Sequence, residues 1–251
     1  MLRKPLAWVG IVVLLLSLAA CAETRELKKK KGEAARKVGE AYLRQENYRA
    51  ALKELLKAEK LYPKDHILQN DLGIVYRKKG KVDLAIKHFK KAIKLNSNYA
   101  PAFNNLGTAY YDKGDWDAAI NYFKKVSEDL LYATPHYAYY NLGKAYYMKK
   151  AYSRAEEYFL KALDVEPRYV EPLVELGRTY LALGRYSEAN AALRSAVEQI
   201  PGHARGHFYL AEVQRITGNH RKALESYNKV IDLAPKTPLA KEAQKRKAQL
   251  E

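Results

Sequence analysis

The sequence predicts an all-α protein built from repeated pairs of helices. Of its 251 residues, only 13 are Gly and 9 are Pro, and long stretches consist of Ala, Leu, Tyr, Lys and Glu. These residues favour helices, whereas Gly and Pro interrupt them. A small residue also recurs at a spacing near 34 from Gly39 onward. Composition and spacing together indicate a helical repeat protein.

The repeat is visible in both helices of each predicted pair. In the first helix, a small residue follows an apolar one and stands three positions before a tyrosine, which is missing only at Gln214. The small residues are Gly39, Gly73, Gly107, Gly143, Gly177 and Ala211. The second helix carries an alanine and, four positions later, a large apolar residue or tyrosine. These are Ala51, Ala85, Ala119, Ala155, Ala189 and Ala223, followed by Leu55, Phe89, Phe123, Phe159, Leu193 and Tyr227. Small residues allow close helix contact, and the larger ones fill the space between neighbours.

This pattern resembles the tetratricopeptide repeat (TPR) family, in which each repeat is a pair of antiparallel helices. The resemblance implies a right-handed superhelix of six repeats. Their predicted bounds are 32–65, 66–99, 100–135, 136–169, 170–203 and 204–237. Residues 238–251 are expected to form a capping helix over the last repeat. The chain departs from the family pattern in lacking the consensus Trp of each repeat and in carrying two extra residues within 128–135.

The first 20 residues have the order of parts of a signal peptide. Arg3 and Lys4 precede an apolar run from Leu6 to Leu18, and small residues follow. The run is shorter than the about 20 apolar residues that a membrane-spanning helix needs. Residues 1–20 are therefore predicted to direct export of the chain.

The tetrad Leu18-Ala19-Ala20-Cys21 resembles the lipobox of bacterial lipoproteins. In that family the chain is cut before the cysteine, which is lipidated. The resemblance implies lipidation of Cys21, the only cysteine of the chain. Ala22 directly after it implies the outer membrane, facing the periplasm, by the sorting rule of enterobacterial lipoproteins. The alternative is an ordinary signal peptide or an uncleaved anchor with an incidental cysteine.

The chain is strongly basic, with 45 Lys and Arg against 28 Asp and Glu and a net charge of +17. Such a balance suits nucleic acid, an anionic membrane or an acidic protein. Because export separates a protein from nucleic acid, we expect lipid or protein instead. Residues 21–31, with the run Lys28–Lys31, are predicted to form a basic tether in which ten extended residues reach about 33 Å. Its lysines are expected either to contact anionic headgroups or to remain solvated.

The family resemblance also implies where a partner binds. In TPR proteins the first helix of each repeat lines the concave face, and here those positions combine aromatic, amide and basic side chains. Such a composition is typical of protein interfaces. The candidate partner-binding groove consists of Asn70, Ile74, Arg77, Asn104, Thr108, Tyr111, Tyr137, Tyr140, Lys144, Tyr147 and Arg178. Alternatively, several of these tyrosines pack between helices.

The sequence predicts no catalytic, cofactor or metal site. His203 and His207 are four residues apart, but the glutamate of a zinc-protease motif is missing between them. Chaperone-binding TPR proteins resemble one another in a basic and amide clamp for a terminal carboxylate. Here Glu40 and Asp71 occupy positions where that clamp requires Asn. Neither an enzyme nor a carboxylate clamp is expected.

The lipobox, the basic tether and the six repeats together resemble the type IV pilus biogenesis and stability lipoproteins, or pilotins. Members of that family help an outer-membrane secretin to assemble. The resemblance implies a non-catalytic, membrane-anchored interaction scaffold of the bacterial envelope that binds a secretin segment. Two alternatives remain open: a lipoprotein of β-barrel assembly, and a scaffold that docks peptidoglycan hydrolases or proteases.

Overall fold

The computed structural model describes the backbone of residues 5–128 and 134–250 and the side chains of residues 23–128 and 134–250. These residues form thirteen α-helices and no strand. The helices are α1 (Pro5–Arg44), α2 (Tyr48–Leu61), α3 (His66–Lys78), α4 (Val82–Leu95), α5 (Ala100–Lys113), α6 (Trp116–Ser127), α7 (Pro135–Met148), α8 (Tyr152–Val165), α9 (Val170–Ala182), α10 (Tyr186–Gln199), α11 (Ala204–Ile216), α12 (His220–Leu233) and α13 (Pro238–Lys247).

The helices form two compact units, Met1–Lys113 and Gly114–Glu251. In the first unit α1 packs on α2 and α3 on α4, and in the second unit α7 packs on α8, α9 on α10 and α11 on α12. Successive pairs also contact within each unit, and α13 packs on α12. The predicted all-helical fold of consecutive helix pairs with a terminal helix is confirmed.

In four of the pairs, a glycine of the first helix (Gly39, Gly73, Gly143 or Gly177) lies against a large residue of the second helix. A Cβ added at Gly143 would lie 2.5 Å from Cε1 of Phe159, and one at Gly177 would lie 2.3 Å from Cγ of Leu193. Phe159 and Leu193 are fully buried. The repeating glycines are therefore explained by close contact between helices rather than by flexibility.

The turn inside every predicted repeat contains one residue in the left-handed conformation, with φ between 56° and 83°. These residues are Glu46, Gly80, Gly114, Lys150, Gly184 and Gly218. Glycine adopts this conformation without a steric penalty, which accounts for its use at four of the six turns.

Polar caps help to fix where helices begin. Asp65 Oδ1 accepts hydrogen bonds from the backbone nitrogens of Ile67 at 2.9 Å and Leu68 at 3.2 Å, at the start of α3. Thr237 Oγ1 accepts one from the nitrogen of Ala240 at 3.2 Å, at the start of α13. Each cap satisfies backbone donors that have no partner within the helix.

The tether differs from its predicted form. Residues 22–31 belong to α1 and are helical, so ten residues span about 15 Å instead of about 33 Å. The physical reason is composition, because Glu, Arg, Leu and Lys favour a helix and continue the first packed helix without interruption. The described part of the chain contains no helix that is long and apolar enough to cross a membrane. The side chains of the predicted signal peptide and Cys21 lie outside the described residues.

Candidate protein-binding face

Helix α7 presents Tyr137, Tyr140, Lys144 and Tyr147 at spacings of three and four residues, which places them on one side of the helix. The ring of Tyr169, in the turn before α9, lies 5.4 Å from the ring of Tyr137 and 5.3 Å from that of Tyr140. Both contacts are edge-on, a favourable arrangement for aromatic rings. The structure thus brings three tyrosines together on this side of the second unit.

On the same side, basic side chains lie over the rings of Tyr140 and Tyr147. Lys144 Nζ lies 5.2 Å from the ring centre of Tyr140, and the guanidinium carbon of Arg178 lies 4.0 Å from that of Tyr147. At these distances a cation is attracted to the face of the ring. We name this surface the aromatic face; its members are Tyr137, Tyr140, Lys144, Tyr147, Tyr169 and Arg178.

Two carboxylates of α9 pair with arginines beside the tyrosine rings. Glu175 is 3% exposed and pairs with Arg178 at 3.3 Å and with Arg205 of α11 at 2.9 Å. Arg205 also pairs with Glu171 at 2.9 Å. A buried carboxylate needs such partners, because burial of an unpaired charge is costly. The pairs therefore link α9 to α11 beneath the aromatic face.

Tyr140 lies close to the same charged groups. Burial, followed by the negative charge of Glu175, raises the pKa of Tyr140 to about 12, and the positive charge of Arg205 opposes this shift. Tyr140 therefore stays protonated over the whole physiological range. Tyr137, in contrast, is 45% exposed. Of these two rings, Tyr137 is the one that a partner can cover at low cost.

The predicted groove residues of the first unit are more engaged in packing. Asn70 is buried, and its side-chain oxygen accepts a hydrogen bond from Asn105 Nδ2 at 2.9 Å. Arg77 pairs with Asp112 at 3.0 Å. Half-buried positions are occupied by Ile74, Asn104, Thr108 and Tyr111. Asn70 therefore connects α3 to α5.

A cluster of carboxylates lies beside these residues. Arg36 of α1 pairs with Asp65 at 2.9 Å and with Glu40. Asp71 is buried, and its Oδ2 has no hydrogen-bond partner among the described residues. Burial, and next the charge of Glu40, raise the pKa of Asp71 to about 8. The negative charges of Glu40 and Asp65 in this cluster would repel a terminal carboxylate.

The histidines considered for metal binding serve structural roles. His203 Nδ1 accepts a hydrogen bond from the nitrogen of Gly206 at 3.0 Å, and its Nε2 lies 3.1 Å from Glu171. His207 Nε2 lies 2.9 Å from the carbonyl oxygen of Pro201. Within the described ranges, no group of three or more metal-ligating residues has a geometry that could hold an ion.

Sequence reasoning missed Tyr169 as a site residue because it lies in a turn rather than on a first helix. A signal was available, since Tyr99 occupies the corresponding position before α5. It also missed the ion pairs that Glu171 and Glu175 form with Arg205. Their role depends on Arg205, which lies more than thirty positions after Glu171 in the chain but directly beside it in the fold.

The fold and the repeat pattern agree with comparisons to known families. Three family models described as TPR or tetratricopeptide repeat match residues 73–114, 100–168 and 174–238. The chain is a tetratricopeptide-repeat protein. No curated protein sequence matches this TPR protein.

Several solved structures resemble the TPR protein over most of its length. PilW, a widely conserved type IV pilus biogenesis factor, has a TM-score of 0.78 at 21% identity, covering 85% of this chain and 98% of PilW. PilF of Pseudomonas aeruginosa has a TM-score of 0.74 at 21% identity, covering 87% and 99%. YrrB, a TPR protein with an unusual peptide-binding site, has a TM-score of 0.55 at 25% identity, covering 76% and 97%. The likeness to PilW and PilF shows a shared fold.

The carboxylate cluster generates a prediction about stability and pH. The folded chain holds a proton on Asp71 up to about pH 8, whereas an unfolded Asp releases it near its ordinary pKa of about 4. The stability from this proton is present in acid and is lost as the pH rises through that window. We expect Asp71→Asn to raise the free energy of unfolding at about pH 9 by more than about 1 kcal/mol and to have little effect near pH 4.

Urea denaturation across this pH range measures the effect. Asp83→Asn is the matched control, because that carboxylate lies in the same unit and is 82% exposed. The control should not show the pH trend. Parallel stability curves for the unsubstituted protein and Asp71→Asn would contradict a buried protonated carboxyl.

Proposed function

We propose that this TPR protein is a lipid-anchored adaptor of the bacterial envelope that binds a segment of an outer-membrane secretin, as pilotins do. The aromatic face carries the binding. It is held by ion pairs of the buried Glu175, it offers the exposed ring of Tyr137, and it includes the basic groups of Lys144 and Arg178. A segment with apolar or aromatic side chains and acidic residues would complement it.

The proposal of a pilus-related role is supported by the extent of the structural likeness. PilW is matched over 98% of its length and PilF over 99%, so the similarity extends over nearly the whole of each protein and not only one helix pair. PilW is described as a type IV pilus biogenesis factor. Since many TPR proteins share a fold and differ in partner, the partner must be tested directly.

The proposal of a lipid anchor is supported by the sequence at the N-terminus. Cys21 follows an apolar run and two alanines, as in a lipobox. Helix α1 continues from this position into the first repeat. Lipidation of Cys21 would hold the repeats near a bilayer, with the outer membrane and its periplasmic side as the proposed location.

Partner binding is tested by capture from detergent-solubilised envelope with the lipidated protein as bait. We expect a secretin to be recovered and Tyr137→Ala to reduce its yield about tenfold, as truncation of an interface hot spot does. Tyr186→Ala is the matched control, because Tyr186 is 39% exposed and lies on α10, away from the aromatic face. Both variants should keep the melting temperature of the unsubstituted protein, since exposed residues contribute little to stability.

The outcomes separate the candidate functions. Equal loss of secretin in both variants, or none in either, would contradict binding at the aromatic face. If β-barrel assembly proteins, or peptidoglycan hydrolases or proteases, are recovered instead of a secretin, the partner is one of these proteins. The fold and the anchor would be unaffected by that result.

The anchor is tested by labelling growing cells with a fatty acid that carries an alkyne tag. We expect label on the unsubstituted protein and none on Cys21→Ser, since the chain has no other cysteine. The Cys21→Ser repeats should remain folded, as circular dichroism can show. Unlabelled protein with an intact Cys21 would refute lipidation.

A further inference from the structure

A cleft of about 680 Å³ lies between α1 and the connection from α2 to α3. Its position is set by Gly32, where an added Cβ would lie 2.9 Å from Cβ of Tyr62. This contact holds α1 against the connection. Arg25 and Lys28 lie seven and four residues before Gly32, on the same side of α1. Their side chains therefore line the cleft beyond this contact.

The cleft combines three cations with an apolar floor. Arg25, Lys28 and Lys64 line it, together with Leu61 and Tyr62. Among the residues that the structure describes, no carboxylate lines the cleft. These three cations also form no ion pair with another described side chain. The cleft therefore suits an anion that carries apolar substituents.

We propose that this cleft binds the phosphate group of an anionic phospholipid. Arg and Lys are strong hydrogen-bond donors to phosphate, and the planar guanidinium of Arg25 can donate two hydrogen bonds to one phosphate. Leu61 and the ring of Tyr62 would contact the glycerol and the first acyl carbons, as aromatic side chains do at membrane interfaces.

The position of the cleft selects lipid over free phosphate. Thr24, at the edge of the cleft, follows Cys21 by three residues, which corresponds to about 4.5 Å along a helix. If Cys21 carries the lipid anchor, the cleft lies at the level of the headgroups. This inference rests on the proposed anchor, but the cleft is a site separate from Cys21. A phospholipid bound in the cleft would fix the orientation of α1 at the bilayer.

The test measures amine labelling of lysines in the full lipidated protein by mass spectrometry. The protein is compared in uncharged maltoside micelles and in phosphatidylglycerol vesicles. Labelling of Lys28 and Lys64 is expected to fall about fivefold in the vesicles, because an amine that donates hydrogen bonds to a bound phosphate is shielded from the reagent. Lys30 and Lys31 are exposed and do not line the cleft, so their labelling should fall much less.

Substitutions separate the cleft from the basic run as a whole. Arg25→Gln should restore labelling of Lys28 and Lys64 in vesicles, whereas the matched variant Lys30→Gln should not. Equal protection of all four lysines would overturn the site in favour of diffuse attraction, and no protection would overturn it outright. Equal protection by inorganic phosphate in micelles would overturn the assignment to lipid. The intact mass of the same sample shows whether Cys21 is lipidated, so failure of the anchor is recognised separately.

Discussion

The close approach of two helices at the repeated glycines is the constraint on which the rest of the structure depends. At Gly143 the backbone of α7 lies so near to Phe159 of α8 that there is no space for a side chain. The same contact recurs between Gly73 and Phe89 and between Gly177 and Leu193. Since one pair cannot bury its apolar residues alone, each pair stacks on the next and the contact is repeated.

This stacking builds the aromatic face from residues that are far apart in the chain. Helix α7 supplies Tyr137 and Tyr140, the turn before α9 supplies Tyr169, and α9 supplies Arg178. Glu175 then joins α9 to α11 through Arg205. The face is ordered before a partner arrives, which lowers the entropy cost of binding. The cleft beside α1 depends in the same way on Gly32, so both proposed binding sites follow from close packing at a glycine.

The helix pairs could be predicted because the same combination, a small residue in the first helix and a large apolar residue or tyrosine in the second, occurs six times in the sequence. The alanines and large apolar residues of the second helices are buried as expected, for example Ala155 and Phe159. The predictions were weaker where a residue's role depends on a neighbour far along the chain. The hydrogen bond that Asn105 donates to Asn70, for example, could not be predicted from the sequence. The tether was expected to be extended, although its composition and the packed helix after it favour a continuous α1.

The most direct test of this account compares two glycines of the second unit by chemical denaturation. Gly143 has no space for a side chain, whereas an added Cβ at Gly202 meets nothing within 4 Å. We predict that Gly143→Val lowers the free energy of unfolding by more than about 2 kcal/mol and reduces partner capture, because it forces α7 away from α8. Gly202→Val should change the stability by less than about 0.5 kcal/mol. Equal stability of the two variants would contradict the claim that close helix packing at the repeated glycines builds the binding face.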